Sequence, residues 1–293
     1  MTASPQPGIL AGLPAHARYL TFLRNADADV TSVLRILSEI AVDDSLVIGL
    51  GPQLTAAVGA ARGVEVPGMR SFPKLQHNAN QMPSSAGDLW LWQRADDRGI
   101  LMHQSRQWIA QLEAAFELTD LTDSFVYSGG LDLTGYEDGT ENPVDEHAAK
   151  VGIADGTAAP IGSSMVAVQK WLHDFKKFDA LSSLQQDHAI GRRRIDNEEL
   201  NDAPESAHVK RTAQEAFDPE AFVVRRSMPW LDGQQAGLMF VAFGASFDAF
   251  EALANNMLGL NDGISDALFQ FTTAVTGNYY WCPPRLDGHL LIA

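Results

Sequence analysis

Apolar positions along this chain recur with two spacings, one of two residues and one of three to four, and the two spacings take turns. Tyr19-Leu-Thr-Phe-Leu-Arg24 has the apolar run of a strand, and residues 29–40 then set Val30, Val33, Leu34, Leu37 and Ile40 at helical spacing. Leu46-Val-Ile-Gly-Leu50 is a second, buried-type strand, closed by the turn signal Gly51-Pro52 and followed by a short helix over 54–61. Residues 63–85, dense in Pro, Gly, Asn and Ser, predict a long irregular connection of the kind that often carries function. Leu89-Trp-Leu-Trp92 predicts a third strand. Ile100, Leu101, Ile109, Leu112 and Phe116 keep helical rhythm over 100–115, and Phe125-Val-Tyr127 predicts a further strand.

The alternation then restarts. Met165-Val-Ala-Val-Gln-Lys170 predicts a strand and 171–184 a helix. Gly237-Leu-Met-Phe-Val-Ala-Phe243 predicts a strand and 246–258 a helix, with a final strand and turn over 271–277. The pair spanning 19–40 matches that of 165–184, and 89–112 matches 238–258, in order of elements more than in identity. The expected fold class is therefore α+β, with two similar halves in which helices cover antiparallel sheets, and a site between such halves is natural.

Charge changes the picture of partners. Among 293 residues, 21 Lys and Arg face 37 Asp and Glu, a formal charge of −16 that argues against binding nucleic acid or an anionic membrane surface. The only cysteine is Cys282, which excludes an intrachain disulfide, a Cys-rich zinc site, an iron–sulfur cluster and a Cys-x-x-Cys-His haem tether. The N-terminus lacks a basic and then apolar leader, and no run approaches the length of a membrane span, so a cytoplasmic location is expected. The last eight residues, Leu286 to Ala293, read equally as an exposed tail or as a docking strand.

Candidate chemistry concentrates in Gly135-Tyr-Glu-Asp-Gly-Thr-Glu-Asn-Pro143. Gly135 and Gly139 allow backbone angles that other residues resist, Asn142-Pro143 closes a turn, and Asp138 is thereby presented on a shaped loop. The plainer reading is a surface turn with solvated acids. Downstream, residues 185–229 form a polar, charge-dense insertion containing Arg192-Arg-Arg194 and His208. Its 193–202 portion reads as a solvated excursion.

Three segments of that insertion, Asp187-His-Ala-Ile-Gly-Arg192, Ala207-His-Val-Lys-Arg211 and Val223-Val-Arg-Arg-Ser-Met-Pro-Trp230, join the central loop in a more specific pattern. The loop carries Gly-x-x-Asp-Gly, a histidine follows about seventy residues later, and an arginine lies seventeen beyond it. This set resembles the dye-decolourising peroxidase family of haem proteins, in its shorter bacterial branch, over roughly 19–283.

The resemblance implies duplicated ferredoxin-like halves, 1–134 and 135–293, with the haem site in the C-terminal half. It implies non-covalent haem b, hydrogen peroxide as oxidant, and one-electron oxidation of organic donors such as phenols or dyes. His208 resembles the iron ligand, a role suited to a neutral imidazole oriented through its other nitrogen. Arg192 resembles a partner of a haem propionate, for which a planar guanidinium is suited. Asp138 and Arg225 resemble the pair on the opposite face, a proton shuttle and a stabiliser of negative charge on bound peroxide. Ser227, where some relatives carry Asn, is by the same resemblance expected among the cofactor-binding residues. Leu238 and Phe240, two apart on a strand, resemble the apolar wall over the haem, and Asp266 the acid that orients His208. Rivals stay open at this level: His188 for His208, Arg226 for Arg225, and Asp262 for Asp266.

The chief alternative is a haem-binding or iron-releasing protein with incidental peroxidase activity. The resemblance also implies a homo-oligomer, and a further reading makes the chain an encapsulated partner docked through its tail.

Overall fold

In the computed structural model, residues 3–292 are described. Four strands of the first half, Leu46–Leu50, Leu89–Ala95, His16–Arg24 and Phe116–Phe125, lie side by side in that order, all antiparallel. Four strands of the second half, Met228–Asp232, Gln235–Gly244, Ser164–His173 and Asn278–Cys282, repeat the arrangement. Numbered along the chain within each half, both orders are 2-3-1-4, the ferredoxin-like pattern. The two sheets meet edge to edge, Trp281 opposite Leu50 and Ser124 opposite Trp230, so the eight strands close into a ring. Closure removes the free edges that a sheet otherwise exposes.

Ring closure explains why several strands are apolar on both faces. Alternate residues Tyr19, Trp90, Trp92, Val166, Val168, Met239, Val241, Phe243 and Tyr280 point into the ring and fill it. Tyr19, Trp90, Trp92 and Tyr280 stack there with ring centroids 5.7–6.5 Å apart. Their neighbours Leu20, Phe22, Leu89, Leu91, Ala167 and Ala242 point outward beneath the helices Val30–Ser38, Pro52–Arg62 and Asp248–Leu258, in the larger core.

The structure corrects several boundaries. The strand expected at 125–127 is Phe116–Phe125. Its exposed Glu117, Thr119 and Asp120 hide the period of two, and the register against His16–Arg24 slips between Thr21 and Phe22. The helix expected over 171–184 is instead the end of a strand followed by two helices, Phe175–Asp179 and Ser183–Ile190. Trp171 and His173 are kept extended by pairing with Ala274 and Thr272. Strands Met228–Asp232 and Asn278–Cys282 and helix Asp145–Gly152 were not anticipated. The 63–85 connection holds a small hairpin, Leu75–His77 with Asn80–Met82.

Residues 285–292 are not a free tail. Arg285–Leu286 and His289–Leu290 form a hairpin, Val42 N–H donates to the Gly288 carbonyl at 2.7 Å, and Leu290 and Ile292 are buried in the larger core. Among the described residues, no helix is long and apolar enough to cross a membrane.

Candidate functional site

A cavity of about 430 Å³ opens on the outer face of the second-half sheet. Its floor is that sheet, with Leu238 and Phe240 from one strand and Gln169, Trp171 and His173 from the next. The central loop closes one side with Glu137, Asp138, Gly139, Thr140 and Glu141. The insertion closes another with Arg192, His208 and Val209, while Phe250, Leu253 and Met257 of the helix Asp248–Leu258 add apolar wall. Met82, from the hairpin of the first half, also reaches it.

His208 begins the short helix His208–Arg211. Its Nδ1 lies 2.7 Å from Oδ2 of Asp266, whose side chain is fully buried and whose other oxygen accepts from Leu268 N–H at 2.8 Å. A carboxylate accepts, so Nδ1 carries the proton and Nε2 keeps a lone pair for a ligand in the cavity. Arg211 anchors this helix. It donates twice to Asp262, at 2.7 and 2.9 Å, and to the Asn256 carbonyl, while Asn256 Nδ2 donates back to the Arg211 carbonyl. The bond from Arg211 holds the Asp262 carboxyl below the usual carboxylate range. Asp262 is thus committed to Arg211, and Asp266 alone of the two reaches His208.

The helix Ser183–Ile190 is started by a capping box, Ser182 with Gln185, and ended by Gly191 at φ +94°. A Cβ on Gly191 would come within 2.3 Å of Val209 Cγ2, so glycine here lets the chain pass close against the His208 helix. Arg192 follows at the cavity wall, its guanidinium bonded to Glu141 at 2.9 Å and Glu199 at 3.0 Å. His188 is not part of the cavity lining.

Across the cavity, Arg225 Nη1 and Asp138 Oδ1 are 3.3 Å apart. Gly135 and Gly139, both at positive φ, shape the loop that presents Asp138. Asn142 fastens that loop to the arginine strand: its Nδ2 donates to the Arg225 carbonyl at 3.0 Å and its Oδ1 accepts from Arg225 N–H at 2.9 Å. Gln214 adds a second tie, donating to the Glu141 carbonyl and accepting from Val223 N–H. Arg226 turns the other way, buried and donating to the Leu10 and Arg225 carbonyls.

Of the residues expected at the site, Asp138, Arg192, His208, Arg225, Leu238 and Phe240 line one cavity, and Asp266 stands directly behind His208. Ser227 does not line it. The chain breaks its extended run between Val224–Arg225 and Met228–Asp232, and this turns the Ser227 hydroxyl to accept from Val241 N–H at 3.4 Å.

Sequence reading passed over Asn142 as a clamp, Arg211 as an anchor, and the buried pair Asp132–His173. His173 Nε2 lies 3.1 Å from Asp132 and its Nδ1 2.8 Å from Thr272. Burial raises the Asp132 carboxyl, but His173 and the two bonds from Thr134 outweigh this and leave it below the usual carboxylate range. The signal available was slight, a polar residue alternating with apolar ones at the end of a strand.

The donor set fits a haem. One imidazole has its second nitrogen held by a carboxylate, apolar walls face it, an arginine stands at the side, and an acid–arginine pair lies opposite. Among the described residues, no cluster of three or more His, Cys, Asp or Glu suits a bare metal ion.

Comparison with known proteins agrees. A family model described as Dyp-type peroxidase, C-terminal, matches residues 130–287. The dye-decolorizing peroxidase of Brevibacterium linens is 30% identical over 279 residues, covering 90% of this chain and 76% of that protein. That of Mycobacterium tuberculosis is 29% identical, covering 96% and 88%. Among solved structures, a variant of DypB from Rhodococcus jostii RHA1 in complex with heme superposes with a TM-score of 0.87 at 28% identity, covering 96% of each chain. A dye-decolorizing protein from V. cholerae gives 0.82 at 28%, covering 95% and 96%. With the sheet order, the cavity and these likenesses together, the chain belongs to the Dyp-type peroxidase family and is a haem peroxidase.

Proposed function

We propose that the protein binds haem b non-covalently, with His208 Nε2 as iron ligand, and uses hydrogen peroxide to oxidise small organic donors such as phenols or dyes in one-electron steps. The observation that carries this is the opposition, across one cavity, of the His208–Asp266 pair and the Asp138–Arg225 pair. Bound haem supplies the redox centre at which peroxide is reduced.

The protein's own part is acid–base and electrostatic. Asp138 takes the proton from one peroxide oxygen and returns it to the other, the transfer that heterolysis of the O–O bond needs. Arg225, 3.3 Å away, holds the anion that forms between those two transfers. Asp266 fixes the tautomer of His208 and adds anionic character to the imidazole. Arg192 pairs with a haem propionate, exchanging for it one of its present exposed acids, and Leu238 and Phe240 keep water from the reacting side. The single buried Cys282, inside the ring, is out of reach of a thioether link. We also infer a division at 134/135 into two ferredoxin-like halves, a cytoplasmic location and a homo-oligomer.

The test is the absorption spectrum of haem-loaded protein before and after one equivalent of hydrogen peroxide, for the native chain and for H208A, D138N and R225L. The expected result is loss of the histidine-ligated ferric spectrum in H208A, and a slowed peroxide response with unchanged haem affinity in the other two. Rapid response in both D138N and R225L would remove the assigned roles and favour haem handling over peroxide turnover.

A further inference from the structure

Gln169 stands in the cavity floor with its amide donor unused. Its side chain is 1% exposed and lines the cavity, and its Oε1 accepts from Trp171 Nε1 at 3.4 Å. An indole N–H only donates, so the amide oxygen must be the atom facing Trp171, and this fixes the orientation of the carboxamide. The –NH2 group then points away from Trp171, and among the described residues it has no hydrogen-bond partner. A buried amide donor without a partner is unfavourable relative to water, and leucine would fill a cavity floor without that penalty. The donor is there for something that occupies the cavity.

Strand register relates Gln169 to the cavity's arginine. Gln169 pairs with Phe240, one step from Ala167 opposite Ala242, and Ala242 in turn pairs with Arg225. Gln169 and Arg225 therefore stand on the two strands that flank the Phe240 strand, one residue pair apart along it, and both line the cavity, whereas Ala167 and Ala242 are buried in the larger core. Arg225 brings a second unused donor, its Nε, which is also buried and unpartnered. Two unpaired donors thus belong to cavity-lining residues on either side of the Phe240 strand.

We propose that Gln169 Nε2 is a second hydrogen-bond donor, beside Arg225, to the peroxide or other small anion held in this cavity. This rests on the haem-peroxidase reading of the site and adds to it a ligand-binding residue. It gives the anion two donors from different strands, so its orientation, as well as its charge, is set by the sheet.

The experiment uses haem-loaded native protein with Q169L and Q169E, and measures the dissociation constants of cyanide and azide by optical titration, alongside haem affinity. Q169L removes donor and acceptor at similar volume; Q169E keeps the acceptor for Trp171 and removes the donor. Both variants are expected to retain haem and to bind the anions about tenfold or more weakly, the effect of one lost hydrogen bond to a charged group, with Q169E the weaker. Unchanged anion affinity in both variants overturns the proposal while leaving the haem reading standing. So does weakened haem binding with unchanged anion affinity, which would direct the amide to a carboxylate of the haem itself. A loss in Q169L alone, with Q169E like the native protein, marks support of Trp171 as the residue's role and also overturns it. Failure of the native protein to bind haem would bring down the site reading and this proposal together.

Discussion

Replacing Asn142 by alanine removes both bonds between the central loop and the backbone of Arg225, at 3.0 and 2.9 Å, while touching neither Asp138 nor the arginine side chain. A net hydrogen bond contributes about 0.5–1.5 kcal/mol, so the pair accounts for roughly 1–3 kcal/mol of stability. In a chain of this size each kcal/mol shifts the unfolding midpoint by about 2 °C, and N142A should therefore melt about 2–6 °C lower. The larger effect is on chemistry. With the clamp gone, Asp138 and Arg225 are no longer held 3.3 Å apart, and a displacement of about 1 Å in a reacting group can slow a reaction by up to about a hundredfold. N142D does not rescue it, because one carboxylate oxygen accepts from Arg225 N–H while the other faces the Arg225 carbonyl, two acceptors without a proton. Scanning calorimetry and stopped-flow mixing of haem-loaded protein with peroxide measure the two effects. An N142A protein with the native midpoint and the native peroxide rate would refute the argument that this side chain registers the loop against the strand.

Three other outcomes follow from the same geometry. D266A removes the charge behind His208 without setting a second donor against its Nδ1–H, as the amide of D266N would; the haem midpoint potential should rise by tens of millivolts, on the order of 59 mV for each 1.4 kcal/mol lost, and an unchanged potential counts against the orienting role. D132N should destabilise the protein at neutral pH. Because the folded-state value of Asp132 lies below its unfolded value near 4, the stabilisation is present above that value and is lost as pH falls through the folded one, so the native and variant unfolding curves should converge in acid; a gap that persists unchanged there argues against charge as the cause. Truncation after Pro284 removes the buried Leu290 and Ile292, each worth about 1.5–3 kcal/mol, and should lower the unfolding midpoint of the isolated chain. A truncated chain as stable as the full one would return those residues to the docking-tail reading.

The site was legible in proportion to how local its determinants are. The central loop announces itself because positive φ at Gly135 and Gly139 needs glycine, and turn residues sit at fixed offsets. Leu238 and Phe240 follow from the period of two along a strand. His208, Arg192 and Arg225 carried no local signal of their own and stood out only through the spacing shared with a known family. Ser227 falls outside the cavity lining because the extended run breaks just before it, and nothing in Arg-Arg-Ser-Met-Pro marks that break. The choices between Arg225 and Arg226, and between Asp266 and Asp262, turn on which neighbour each side chain meets across the fold. Those neighbours, Asp138, Leu10, His208 and Arg211, lie 51 to 216 residues away in the chain.

By itself the sequence determined the α+β class and the repeat of strand and helix, since both rest on periods of two and 3.6 that a few neighbouring residues display. It also determined what is excluded, as one cysteine rules out an intrachain disulfide whatever the fold. Only the tertiary structure decided that the two sheets close into a ring, because closure depends on pairings such as Trp281 with Leu50 and Ser124 with Trp230, made across more than a hundred residues of chain. It alone placed Met82 of the first half against a cavity built by the second, and docked residues 285–292 on the body of the protein. Such contacts are set by how whole elements pack, and no window of sequence short enough to read contains both of the partners.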